Sequence, residues 1–295
     1  MDRKKSLACL MTIVGLVGCS SSKTSRAIRV GSKNFTEQVI LGEIIAQHIE
    51  QRLHIQVERR LNLAGTLLAD QALRSGEIDL YPEYTGTALA SILKESGGGT
   101  RAQVLERVRS RYTRDAQIEW LDPLGIDNGF AMVVQGSVAR SLKIDSLSAA
   151  AKATASWRLG IGYEFEGRPD GLPALNRIYG LHWSGRPVTM DLGLLYSALQ
   201  QGQVTMIAAS ATDGLLSKLD LAILQDDKHA FPPYEVAIAV RESSLRRTPG
   251  LKLALLGLSG KFSNLTMQAL NYQVDVEHRP VAKVAQEFLH SSRLK

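Results

Sequence analysis

Only two cysteines occur in the 295 residues, Cys9 and Cys19, and no thiol comes after them. Everything downstream is therefore without a disulfide framework, a cysteine nucleophile or a cysteine-based metal site. Long apolar runs are equally scarce, and the one from Leu7 to Val17 is too short to cross a bilayer comfortably. The six histidines are dispersed. His48 and His54 stand six apart, a poor spacing for one helix face, while His182, His229, His278 and His290 have no obvious partner. With no His-Glu-x-x-His pair and no Gly-x-Ser-x-Gly elbow, a hydrolase is a weak alternative, and neither a metal nor a cofactor is expected. Excess charge of one sign is also small. The formal net charge is +6, and three of the basic residues, Arg3, Lys4 and Lys5, fall at the very start. Others, such as Arg101, Arg107, Arg109, Arg111 and Arg114, are spaced as on a solvated helix face, with no interleaved aromatics. No nucleic-acid partner is expected from that pattern.

What is present begins with a leader. Met1 to Ser6 is short and basic, Leu7 to Val17 is apolar, and Leu16-Val17-Gly18-Cys19 closes it with small residues before a cysteine. This resembles a bacterial lipoprotein signal. The resemblance implies that residues 1–18 are removed, that Cys19 is lipidated, and that the protein is exported and held at a membrane, periplasmic or at the cell surface. A plain secretory signal with an incidental cysteine is the alternative. The rest of 19–26, from Ser20 to Arg26, is polar and reads as a flexible tether.

The stretch Ser75 to Thr87, S-G-E-I-D-L-Y-P-E-Y-T-G-T, organises the remainder of the chain. Gly76 ends a helix that starts near Gly65, Ile78 to Tyr81 suits one buried strand, and Pro82 and Glu83 are expected to stop it and open the next helix. A strand that ends where a helix begins marks the carboxyl edge of an open α/β sheet, where ligands sit. Tyr84, Thr85 and Thr87 fall within one turn of that edge. A second such junction comes after the strand Ile28 to Ser32, where Lys33 precedes a helix for which Asn34 or Thr36 is the expected cap. In both places the alternative is mundane: a packed tyrosine and a solvated lysine.

Strand and helix patterns alternate from Ile28 to about Arg111, break at Trp120-Leu121-Asp122-Pro123, and resume at Phe130. Helices are expected over Gly86 to Lys94, Pro169 to Tyr179 and Leu192 to Gln200, with Thr212 or Asp213 capping another. Phe231-Pro232-Pro233-Tyr234 is a second break, before a strand and a helical tail. Two alternating segments joined by two irregular crossings predict two α/β lobes: 27–124 with 231–295, and 125–230. A cleft between them is the default site.

Five ordered motifs resemble one family. They are Val30-Gly31-Ser32-Lys33-Asn34-Phe35-Thr36-Glu37-Gln38, Asp79-Leu80-Tyr81-Pro82-Glu83-Tyr84-Thr85-Gly86-Thr87, Arg168-Pro169-Asp170-Gly171-Leu172, Thr212-Asp213-Gly214 and Phe231-Pro232-Pro233-Tyr234. The family is that of osmoprotectant-binding proteins, the glycine betaine, choline and carnitine receptors of ABC importers. The resemblance implies a type II periplasmic-binding-protein fold, two α/β lobes joined by two crossovers and closing on a ligand, with no enzymatic activity. It implies an aromatic cage for a quaternary ammonium at Tyr84, Phe130, Ser210 and Tyr234, and donors to a carboxylate at Lys33, Thr87 and Arg168. The partners it implies are a betaine-type solute and the permease and ATPase subunits of the importer; a monomer is the default. Two positions depart from the family pattern: Phe130 stands where a tyrosine is usual, and Ser210 removes an aromatic wall. A ring contact to a quaternary ammonium is worth ~0.5–2 kcal/mol, so the loss predicts weaker binding of a small betaine or room for a bulkier one. Carnitine or a ring-bearing betaine such as ergothioneine would fit that room, with Tyr163 or Phe165 as a replacement wall. An amino acid or other polar nutrient is the alternative ligand.

Overall fold

The computed structural model describes residues 27–95, 98–154 and 156–292, so the leader and Cys19 lie outside the described residues. β1 (Ile28–Gly31) leads into α1 (Thr36–Leu53), then β2 (Val57–Arg60), α2 (Thr66–Ser75) and β3 (Leu80–Tyr84). A short turn of helix, α3 (Thr85–Thr87), runs into a π-helical turn over Ala88–Ile92 before α4 (Arg101–Ala116) and β4 (Ile118–Trp120). Beyond the first crossing lie β5 (Phe130–Gln135), β6 (Leu159–Ile161), β7 (Val188–Thr189), β8 (Met206–Ser210) and β9 (Leu221–Leu224). After the second comes β10 (Val236–Arg241), and helices complete the chain.

The strands form two five-stranded sheets, ordered β2-β1-β3-β10-β4 and β7-β6-β8-β5-β9. In the first, β1 runs parallel to β2 and β3, and β10 is antiparallel to β3 and β4. The second repeats the scheme: β6 is parallel to β7 and β8, and β5 is antiparallel to β8 and β9. Each sheet carries an apolar cluster on both faces, as sheets with parallel strands at their centre require. The result is the two-lobed type II periplasmic-binding-protein fold. Among the described residues no helix is long and apolar enough to cross a membrane.

Local chemistry accounts for the element ends. On α1, Ile40, Leu41, Ile44, Ile45 and Ile49 are wholly buried, which fixes its core-facing stripe. α2 ends at Gly76 with φ +81°, its N–H returning to the Ala72 and Leu73 carbonyls. Thr100 and Gln103 form a reciprocal capping box at the start of α4.

Several expectations need correction. Pro82 and Glu83 do not stop β3 but lie inside it. Past Leu80 only β10 pairs with β3, so a proline is tolerated where no second ladder needs its N–H. The α1 cap is Phe35, without a side-chain bond; Thr36 Oγ1 donates instead to Asp275. The expected helix from Pro169 begins only at Leu172, because Arg168 to Gly171 form a turn in which Asp170 is drawn to Arg168 and Tyr234. Leu192–Leu194 is a 3-10 turn before the helix proper; Asp213, one of the two expected caps, is the N-cap residue of the next turn, Gly214–Ser217, which is 3-10 and not α-helical. β4 and β9, each at one edge of its sheet, carry no clear sequence signal.

Candidate ligand-binding site

The carboxyl ends of β1, β3, β6 and β8 and the start of β5 converge between the sheets. There, a cavity of about 620 Å³ is lined by Lys33, Tyr84, Thr87, Phe130, Arg168, Ser210 and Tyr234, together with Phe35, Tyr163, Glu164, Phe165 and Leu192. The seven residues expected to form the cage and the carboxylate donors thus line one space.

From the first sheet, the tip of β1 presents Lys33. Its ammonium lies 2.6 Å from Glu83 and 3.2 Å from the Thr66 hydroxyl, and 4.9 Å above the Tyr84 ring. Burial pulls this lysine below its ordinary pKa, and Glu83 works against that pull. Tyr84 stacks on Phe35 with centroids 6.2 Å apart and donates its hydroxyl to Glu37 at 2.7 Å. Glu37 also accepts from the Asn128 amide at 3.0 Å and from the Thr212 hydroxyl. Burial raises the Glu37 pKa, while these donors lower it.

From the second sheet, Phe130 meets Phe165, Phe231 and Tyr234 edge-on, with centroids 4.7, 5.4 and 5.5 Å away. Arg168 lies over this aromatic group, 5.1 Å from the Phe130 centroid and 6.0 Å from that of Tyr234. Its guanidinium binds Asp170 through Nε at 3.0 Å and Nη2 at 2.6 Å, and Nη2 also donates to the Thr87 hydroxyl at 3.0 Å. Burial opposes the charge on Arg168, but the Asp170 hydrogen bonds together with the charges of Asp170 and its neighbours outweigh it and raise the pKa. Tyr234 donates its hydroxyl to the same Asp170 at 2.7 Å, and burial lifts its pKa well above that of a free tyrosine.

A family model for the substrate-binding domain of ABC-type glycine betaine transport systems matches residues 26–291. The chain belongs to this family. A glycine-betaine-binding protein of Pseudomonas aeruginosa is 34% identical, over 99% of this chain and 94% of that protein. The ergothioneine transport permease/ergothioneine binding protein EgtU of Helicobacter pylori is 32% identical over 88% of this chain, which spans 46% of that protein's length. The crystal structure of a glycine betaine/carnitine/choline ABC transporter superposes with a TM-score of 0.79 at 28% identity, covering 90% of this chain and 99% of that one. These relatives are transport proteins, and this substrate-binding domain is not an enzyme.

Within this substrate-binding domain the arrangement departs from a simple split between cage and carboxylate donors. Rings and cations are interleaved, with Lys33 on Tyr84 and Arg168 on Phe130. Thr85 ties the second crossing instead of lining the cavity, donating to the Pro233 carbonyl and accepting from Glu235 N–H. Of the two candidate replacement rings, Phe165 is buried against Phe130, whereas Tyr163 is 68% exposed at the rim. Ser210 lies opposite Phe130 across the β5–β8 ladder, next to Ala208 and Ala209 on the same wall.

Sequence reasoning missed Glu37, Glu83 and Asp170. Each lies inside one of the five motifs, and each is buried. The signal was available: a lysine and an arginine placed at a desolvated site require carboxylate partners, and these motifs carry acids able to supply them.

Proposed function

We propose that this protein is the extracytoplasmic, lipid-anchored receptor of an ABC importer, binding a quaternary ammonium betaine between its lobes and handing it to the permease. The observation that carries this reading is the aromatic group Tyr84, Phe130 and Tyr234 around one cavity, with protein cations already resting on two of its faces. A quaternary ammonium has no hydrogen-bond donor, so such faces are its best ligands. Lys33, Thr87 and Arg168, set among these rings, supply donors for the solute's carboxylate. Their charges are partly met by Glu83 and Asp170, which suits a ligand of no net charge. Residues 27–124 with the chain from 231 on, and residues 125–230, are the two bodies that close, and Cys19 carries the lipid.

A bulkier betaine is the second reading. It is favoured by the small wall formed by Ala208, Ala209 and Ser210 and by a cavity of about 620 Å³, and the 32% identical relative named for ergothioneine is consistent with it. Ser210→Tyr separates the two. Restoring a ring should strengthen glycine betaine roughly 5- to 30-fold, the equivalent of ~1–2 kcal/mol, and weaken a ring-bearing betaine. Equal affinity of wild type and variant for every betaine tested would remove Ser210 from the site.

A further inference from the structure

Both tyrosines lining the cavity donate to buried carboxylates at 2.7 Å, Tyr84 to Glu37 and Tyr234 to Asp170. What balances the two acids differs. Asp170 faces the Arg168 guanidinium at 2.6 Å. Glu37 is 3% exposed, and its hydrogen-bond partners among the described residues are neutral: the Tyr84 hydroxyl, the Asn128 amide, the Thr212 hydroxyl and Asn271. Lys33 lies over the Tyr84 ring face, but it is already engaged by Glu83 at 2.6 Å. A carboxylate buried among neutral donors is costly to maintain. That cost is offset if a cation arrives.

A quaternary ammonium cannot form a hydrogen-bonded ion pair, so what a carboxylate offers it is Coulomb attraction, which does not require direct contact. An aromatic ring can carry the attraction instead. A phenol donating to a carboxylate is polarised toward an electron-rich face, and the low dielectric of the site preserves the charge behind it. Glu37 is absent from the cavity lining and stands behind Tyr84. We propose that Glu37 is a specificity-determining residue whose carboxylate is the counter-charge for the ligand's ammonium group, relayed through the Tyr84 hydroxyl and ring. This inference rests on the quaternary-ammonium reading of the pocket.

The test compares glycine betaine with tert-butylacetate, its carbon isostere, which has the same shape and no positive charge. Both are titrated into wild type and Glu37→Gln, with competition used for the weaker ligand. A counter-charge one phenol ring away, at an effective dielectric of about 20, is worth roughly tenfold in affinity. Glu37→Gln should therefore lose about that factor for glycine betaine and leave the isostere unchanged or improved. Equal losses for both ligands would mean that Glu37 only holds the fold, and would overturn the proposal. So would an isostere that competes in neither protein, because the demand for charge would then survive without Glu37. Should Glu37→Gln fail to fold, Tyr84→Phe carries the test: it breaks the relay, and an unchanged preference for the cation overturns the idea. A wild-type protein that binds no quaternary ammonium would instead defeat the functional reading itself.

Discussion

Arg168 and Asp170 form a bidentate pair in which the aspartate is 4% and the arginine 13% exposed at the side chain. Removing one partner leaves the other's charge stranded, at a cost of ~3–5 kcal/mol. Arg168→Ala should accordingly lower the melting temperature clearly, and adding Asp170→Asn should recover much of it; no recovery in the double variant would show that Asp170 is held by something else. Tyr84 and Tyr234 both belong to the apolar core as well as to the cavity, so truncating either would confuse binding with folding. Phe130 is half-buried and makes the cleaner test. Phe130→Leu keeps apolar bulk but removes the ring face, and should weaken a trimethylammonium ligand by ~0.5–2 kcal/mol in a titration. At this scale the sequence displays the cations and the rings but hides their balance. Lys33 and Glu83 are 50 residues apart, and only the parallel register of β1 and β3 brings their tips together.

The second crossing is fixed by close packing against α3. A Cβ on Gly86 would stand 2.6 Å from the Pro233 carbonyl oxygen and 2.9 Å from the Tyr234 ring. Gly86→Ala must push this segment away, since backbone cannot yield as a flexible side chain does. The expected outcome is a lower melting temperature and weaker ligand binding together, because Tyr234 moves with the crossing; a fully active variant would contradict the packing. Elements with strong periodicity or clear caps, such as α1, α2 and α4, are legible in the residues that build them. Those at the cleft are less so. Arg168 to Gly171 looks helical by pattern, yet the pull of Asp170 toward both Arg168 and Tyr234 delays the helix to Leu172. Pro82 reads as a strand terminator, yet β3 continues through it because one of its flanks is unpaired beyond Leu80.

Contacts between the lobes span the whole molecule. Thr66 N–H donates to Glu164 at 3.2 Å, Arg168 reaches Thr87, and the turn after β8 binds the helix Asn264–Asp275 through Asn271 and the Thr212 carbonyl at 2.9 Å. Beside that last contact, burial raises the Asp213 pKa to about 6 from 3.8, with the Asp275 and Glu37 charges adding to it. Because the folded state holds this proton more tightly than the unfolded chain, the cost of the buried charge builds as pH rises from about 3.8 to about 6 and is full above that. Acidification below about pH 6 relieves the cost, so this group's contribution to the melting temperature should be level from roughly pH 7.5 to 6 and rise as pH falls from about 6 toward 4. Asp213→Asn should raise it at neutral pH and flatten the rise; an unchanged profile would contradict the assignment. Two lobes and two crossings are readable from alternation and its breaks, whereas contacts such as these join residues too distant in sequence to be paired by pattern. Whether the cleft selects a quaternary ammonium is decided by calorimetric titration of the purified protein with glycine betaine, carnitine, choline, ergothioneine and a set of amino acids. One-to-one binding of at least one of the trimethylammonium compounds is expected, with the others competing; binding of amino acids alone, untouched by any trimethylammonium competitor, would contradict that selectivity.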